Sequence, residues 1–184
     1  MYIFGYGSLI NGESRQRTGH THGAIPAVAT GFIRRWGKLE HSTVLSPLVV
    51  STGQGKVNGL LLEVSDQDLG YFDQREHGYE RVQIPQHQIE AEASLDATKP
   101  VWIYIKNQHQ PACQNVPIVQ TYLDTVLAGC LEVSEHFAQQ FIRYTLGWHF
   151  PIENDRDQPK YPNLARVDAK RQLIIDALLA DSSN

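Results

Sequence analysis

The sequence predicts an α+β protein, and three observations carry that reading. β-prone apolar segments fill the first half, four-residue apolar spacing dominates the second, and strands do not alternate with helices. A length of 184 residues argues for one domain, 1–184, with its core in about residues 1–150. The remainder, 151–184, reads as an irregular segment followed by a C-terminal helix.

Tyr2-Ile3-Phe4 is the first strand, closed by Gly5-Tyr6-Gly7-Ser8, where two glycines permit a tight turn. Ala27–Ile33, Val44–Val50 and Val57–Val64 follow as strands separated by Gly, Pro and Ser. The run Gly59–Val64 has the pattern of a strand buried on both faces. Ser65 suits a helix N-cap, with Asp66 and Asp68 favoured by the positive end of the first turn. Arg81–Ile84 alternates polar and apolar, and Val101–Ile105 puts Val and Ile on one face and aromatics on the other. Pro117 fits a helical first turn, after which Ile118, Tyr122, Val126 and Cys130 trace one stripe. Ser134 and Glu135 open a second helix that ends near Gly147. Pro151–Pro162 reads as irregular and polar. A last helix, Asp168–Leu179, carries Leu173, Ile174, Ala177 and Leu178 on one side.

Sixteen Lys and Arg against twenty Asp and Glu give a net charge of -4, which argues against nucleic acid as the main partner. No apolar run approaches the roughly 20 residues that span a bilayer, so no membrane association is expected. The first residues lack the basic-then-apolar order of a secretory signal. Cys113 and Cys130 fit neither a disulfide framework nor a metal knuckle. The expectation is a cytoplasmic monomer or small homo-oligomer.

Several chemistries fall away on spacing. Gly5-Tyr6-Gly7 begins like a dinucleotide fingerprint, but Ile10 stands where the last glycine belongs, and no helix is expected at once. Ser8 is no hydrolase nucleophile, because Tyr6 occupies the first glycine of G-x-S-x-G. His20-Thr21-His22 is the closest histidine pair, unsupported by any second metal-binding motif. Two segments remain. Tyr6-Gly7-Ser8-Leu9 ends a strand and turns backbone N–H groups outward, suited to a carboxylate or an oxyanion; a plain hairpin turn is the simpler account of the glycines. Phe72–Arg81 sets Glu76 at the boundary between a helix and a strand, where catalytic groups are often displayed; a solvated turn with Arg–Glu pairs is the plainer account.

Together the two segments resemble the γ-glutamylcyclotransferase superfamily, which includes ChaC-like and AIG2-like proteins. Phe4-Gly5-Tyr6-Gly7-Ser8-Leu9-Ile10 is similar to the F-G-Y-G-S-L-I opening of ChaC-like members. Asp73-Gln74-Arg75-Glu76, then Gly78-Tyr79 and Arg81, resembles their D-x-R-E-x-G-G-Y-R segment. The turn after Glu76 is one residue shorter here, and Glu80 intervenes before Arg81. A helix led by Tyr122 is a third echo, so the resemblance covers about residues 1–132. The tail, with Asn154–Asp157 and Tyr161-Pro162, resembles extensions of uncharacterised bacterial members.

The resemblance implies a small mixed, mostly antiparallel β-barrel with flanking helices. It also implies an enzyme that needs no cofactor or metal: the α-amine of a γ-glutamyl group attacks its own γ-carbonyl, giving 5-oxoproline and a free amine or amino acid. By the same resemblance Glu76 is general base and then acid, Tyr6, Gly7, Ser8 and Leu9 cradle the substrate, and Tyr122 lines the pocket. Positive φ is expected at Gly7. ChaC-like members prefer glutathione and other relatives take γ-glutamyl amino acids or γ-glutamylamines; Arg34-Arg35-Trp36 is followed by no recognisable glutathione-associated pattern. The partner implied is thus a small γ-glutamyl compound. A non-catalytic binding protein on the same fold is the alternative, opposed by the cost of keeping an unpaired buried carboxylate. A metal hydrolase built on His20 and His22 is a third reading.

Overall fold

In a computed structural model, residues 1–40 and 43–182 are described. Ten strands and five α-helices occur among them. The strands are β1 (Tyr2–Gly5), β2 (Gly23–Lys38), β3 (Leu48–Glu63), β4 (Glu80–Ile84), β5 (Ile89–Ala91), β6 (Val101–Ile105), β7 (Gln110–Pro111), β8 (Ile118–Val119), β9 (Thr145–Leu146) and β10 (Ile152–Glu153). The helices are α1 (Gly12–Gln16), α2 (Asp66–Arg75), α3 (Gln120–Val133), α4 (Glu135–Arg143) and α5 (Ala169–Ser182). The main sheet runs β4-β6-β1-β3-β2-β5, with β7 and β9 also paired to β2. It is mostly antiparallel and curled into a half-barrel, an α+β fold as expected. β1 pairs in parallel with β6 and antiparallel with β3, which puts the turn after β1 at the end of central strands.

β2 and β3 are longer than their sequences suggest. Glycine, serine and threonine around residues 51–55 look like a turn between two strands, but β3 passes through them unbroken. The pairing jumps instead, from Thr30–Lys56 to Phe32–Thr52, at an irregularity where Gly31 takes φ +88°. A Cβ at Gly55 would sit 2.7 Å from the Phe32 carbonyl oxygen, so the ribbon can bend there only with glycine. Val57 to Leu62 are buried throughout, as a strand covered on both faces requires.

The caps read from sequence form as expected. Ser65 accepts from the Asp68 N–H at 3.1 Å, and Ser134 accepts from the Phe137 N–H at 3.0 Å. Pro117, however, is not helical. Ile118 and Val119 pair in parallel with Ile152 and Glu153, and α3 starts only at Gln120. From Gln120 to Cys130 every residue of α3 is buried, because sheet, α4 and the C-terminal segment enclose it. In α5 the buried residue is Ile175, whereas Leu173 is 70 % exposed and Ile174 41 %. Apolar residues lie all round this helix, so their spacing does not single out a face. Nor does the glycine turn lead to a plain loop: a 3₁₀ turn at Ser8–Ile10 and then α1 follow it directly. Asn11 caps α1 by accepting from Ser14 N–H at 3.0 Å.

Arg34, on β2, is completely buried. Its Nε donates to Thr145 Oγ1 at 2.7 Å, and Nη1 donates to the carbonyls of Tyr6 at 3.0 Å and Asn58 at 2.8 Å. Nη2 donates to Asn58 Oδ1 at 2.8 Å and the Phe141 carbonyl at 3.0 Å. Replacing Arg34 by Met keeps the stem but strands these buried acceptors, each worth about 1–3 kcal/mol when unsatisfied. We therefore expect a loss of about 3 kcal/mol or more in urea unfolding.

Candidate active site

A cleft of about 210 Å3 opens where the turn after β1 faces the C-terminal end of α2. The turn contributes Phe4 to Leu9 to its lining, and the end of α2 and the residues after it contribute Arg75, Glu76 and His77. Pro47 and Leu48 at the start of β3, Tyr79, Tyr104 of β6 and Tyr122 of α3 close the sides. Tyr161 and Asn163, from beyond β10, complete the lining.

The turn's shape follows from its hydrogen bonds. Ile10 N–H donates to the Gly7 carbonyl at 2.9 Å, and Asn11 N–H to the Ser8 carbonyl at 3.2 Å. These are the first bonds of the 3₁₀ turn, so the N–H groups of Gly7, Ser8 and Leu9 have no partner within it. Gly7 has φ −130°, not the positive φ expected from sequence. What requires glycine is proximity: a Cβ there would lie 3.1 Å from the Tyr122 hydroxyl. From behind, the Arg34 guanidinium holds the Tyr6 carbonyl, and the Tyr6 hydroxyl donates to the Tyr104 carbonyl at 2.8 Å.

Glu76 is the C-cap residue of α2, its N–H donating to the Phe72 carbonyl at 2.9 Å. Gly78, at φ +93°, then turns the chain into β4, so the shortened turn still delivers Glu76 to the cleft. Its side chain keeps 19 % of its surface, and the residue lines the cleft. Burial raises the Glu76 carboxyl above the ordinary carboxylate range, and the neighbouring Arg75 guanidinium opposes that rise. The expected unpaired carboxylate is thus corrected, because Arg75 Nε lies 3.6 Å from Glu76 Oε1.

Arg75 reaches further. Nη1 donates to the Ser14 carbonyl at 3.1 Å and to Thr18 Oγ1. Nη2 donates to Ser8 Oγ at 3.0 Å, Ser14 Oγ at 3.3 Å and Tyr161 Oη at 3.3 Å. One guanidinium therefore links the carboxylate, the turn and α1. Around them stand phenols held protonated: burial first, with the Glu76 charge adding, raises Tyr6, Tyr79 and Tyr104. Tyr122 is raised likewise, by burial foremost, and its oxygen accepts from Leu48 N–H at 3.4 Å. Tyr79 donates to the Leu48 carbonyl at 3.1 Å, and Tyr104 to Asp73 Oδ1 at 2.7 Å.

Glu76, Tyr6, Gly7, Ser8, Leu9 and Tyr122 all line this one cleft. Arg75, Tyr79, Tyr104 and Tyr161 line it too and were not singled out as site residues in the sequence. Arg75 and Tyr79 flank Glu76 in the charged segment and were within reach of that signal; Tyr104 and Tyr161 carry none. His20 and His22 are exposed, their rings 4.9 Å apart, and neither lines the cleft. Among the described residues no group of three or more His, Cys, Asp or Glu could hold a metal ion; His41 lies outside them. Both cysteines are free, and no described helix is long and apolar enough to cross a membrane.

Comparison with known proteins gives a consistent picture. A family model described as "Gamma-glutamyl cyclotransferase, AIG2-like" matches residues 3–123. A solved structure titled "Gamma-glutamyl cyclotransferase" superposes with a TM-score of 0.59 at 13 % identity, covering 96 % of this chain and 98 % of that one. An uncharacterised protein from Homo sapiens gives 0.55 at 14 % identity, covering 95 % and 97 %. YkqA from Bacillus subtilis gives 0.61 at 20 % identity, covering 83 % of this chain but 56 % of its own. At these identities the structures show a shared fold. No curated protein matches the chain by sequence.

The raised Glu76 pKa has a consequence for stability. A carboxyl that holds its proton more tightly folded than unfolded favours the fold when protonated, below the unfolded value of about 4.3. That contribution is lost as pH rises through the folded value. Glu76→Gln is therefore expected to be more stable than the parent at pH 7, with the advantage shrinking toward pH 4. Denaturant unfolding of both proteins at the two pH values measures it.

Proposed function

Because the chain belongs to the AIG2-like γ-glutamyl cyclotransferase family, we propose that its cleft cyclises a small γ-glutamyl amide or peptide to 5-oxoproline with Glu76 as acid and base. The α-amine of the substrate reaches the site as an ammonium ion. Glu76 takes one of its protons, and the freed nitrogen attacks the γ-carbonyl carbon, closing a five-membered ring. As the C–N bond to the leaving nitrogen breaks, Glu76 gives that nitrogen the first proton and takes a second from the ring nitrogen, leaving the lactam N–H. The second proton passes to the released amine, which departs as an ammonium ion. Both protons are only borrowed, so the balance needs no cofactor.

The observation that carries this reading is that Glu76, a carboxyl whose pKa burial raises, lines the same cleft of about 210 Å3 as Gly7, Ser8 and Leu9, whose N–H groups have no partner within their turn. A base serves best when its pKa approaches the working pH, and burial moves Glu76 in that direction. The N–H groups of Gly7, Ser8 and Leu9 suit an anion, either the α-carboxylate or the oxyanion formed during attack. The phenols remain neutral and donate hydrogen bonds without competing for the amine's proton. Holding nucleophile and carbonyl of one molecule in contact supplies several kcal/mol of the rate enhancement by positioning. With Arg75 beside Glu76, the carboxylate can also persist for structural reasons, and that favours the binding-protein alternative enough to test.

Purified protein is offered glutathione, γ-glutamyl dipeptides and γ-glutamyl-ε-lysine, and 5-oxoproline is measured. We expect release from at least one substrate and a loss of roughly 100-fold or more in kcat for Glu76→Gln. Equal activity in that variant would remove Glu76 from the chemistry; silence across the panel with binding of 5-oxoproline retained would support a binding protein. The pH profile of kcat/KM should rise through a midpoint above about 4.3, since the base must be ionised. Gly7→Val should raise KM by crowding Tyr122, and Tyr122→Phe should have a milder effect.

A further inference from the structure

The segment from Pro151 to Arg166 lies outside the residues 3–123 that the family model matches, yet it forms part of the cleft. It is fastened on both sides of Tyr161. Before it, the Pro151 carbonyl accepts from Ile118 N–H at 2.9 Å and β10 pairs with β8. Asp155, buried, caps α3 by accepting from Thr121 N–H at 2.7 Å and Thr121 Oγ1 at 2.6 Å, and it also accepts from Lys160 N–H at 2.8 Å. Arg156 pairs with Asp124 of α3 at 2.7 Å. After it, Ala165 N–H donates to Thr125 Oγ1 at 3.0 Å and Arg166 N–H to Glu13 Oε2 at 2.8 Å. A strap tied this often is a fixed wall rather than a mobile lid.

Between these ties the strap presents Tyr161, 7 % exposed, its ring edge-on to Tyr122 with centroids 4.7 Å apart. Its oxygen accepts from Arg75 Nη2 at 3.3 Å, the same nitrogen that donates to Ser8 Oγ. The other end of that guanidinium, Nε, lies against Glu76. A planar guanidinium is one rigid body, so fixing Nη2 constrains where Nε points. We propose that the strap completes the cleft by supplying Tyr161 as a positioning residue, which fixes Arg75 and through it both the Glu76 carboxylate and the Ser8 turn. Its catalytic consequence rests on the cyclotransferase reading; the positioning does not.

The test uses the full chain with Tyr161→Phe, which removes the oxygen and keeps the ring on Tyr122, and Tyr161→Ala, which removes both. Two readouts are taken: kcat and KM for whichever panel substrate releases 5-oxoproline, and, with no substrate present, the Arg75 Nε–H signal by 15N NMR. Losing one hydrogen bond to a charged donor corresponds to a rate effect of roughly tenfold, so Tyr161→Phe should lower kcat by about that factor with KM little changed. Its Arg75 Nε–H should shift and exchange faster with water, and Tyr161→Ala should exaggerate both effects. An unchanged Arg75 signal in Tyr161→Phe overturns the proposal, whether or not kcat falls. A shifted Arg75 signal in a protein that releases no 5-oxoproline supports the positioning and removes the cyclotransferase reading alone.

Discussion

The buried Arg34 guanidinium is the constraint on which the rest of the molecule depends. A full positive charge inside a protein is costly unless its donors are satisfied. Burial lowers the pKa of Arg34 to about 9, a measure of how poorly the site tolerates the charge. The surroundings offset this with five carbonyl and hydroxyl oxygens from four residues and with the face of Phe141, whose ring centre lies 3.7 Å from the guanidinium carbon. Those partners lie on β3, α4, β9 and the turn after β1. The guanidinium therefore sets the turn's rear position before any substrate arrives.

The cleft repeats this logic at smaller scale. Arg75 does for the front of the turn what Arg34 does for the back, and the two arginines differ in what they face. Arg34 meets neutral acceptors and serves architecture. Arg75 meets neutral acceptors and one carboxylate, and so adjusts a titrating group. Burial and the adjacent cation act on Glu76 in opposite directions, with burial the larger.

Much of this was legible in the sequence, for reasons that differ by element. Helix caps at Ser65 and Ser134 act over three residues, so local chemistry decides them. The turn at Tyr6–Leu9 and the boundary at Glu76 were visible because each packs its chemistry into a few neighbouring positions. Strand β3 was not, since a glycine-rich bend and a glycine-rich turn have the same composition, and only the partner strand distinguishes them. The exposed Leu173 and buried Ile175 of α5 reversed the expected face because apolar residues surround that helix. Tyr161 was beyond reach altogether: its meaning lies in Arg75, 86 positions away.

That separation bears on how the molecule comes into being. The cleft draws on residues near 4–9, 47–48, 75–79, 104, 122 and 161, so its contacts join segments far apart in the order of synthesis. Long-range closures of this kind are slow and are made late in folding. A nascent chain can pair β1 with β3 early, while the aromatic pocket and its arginine still wait for Tyr161 to emerge from the ribosome. The cleft is then closed only after β1, β3 and most of the sheet have become able to form, because its last aromatic wall lies so far along the chain.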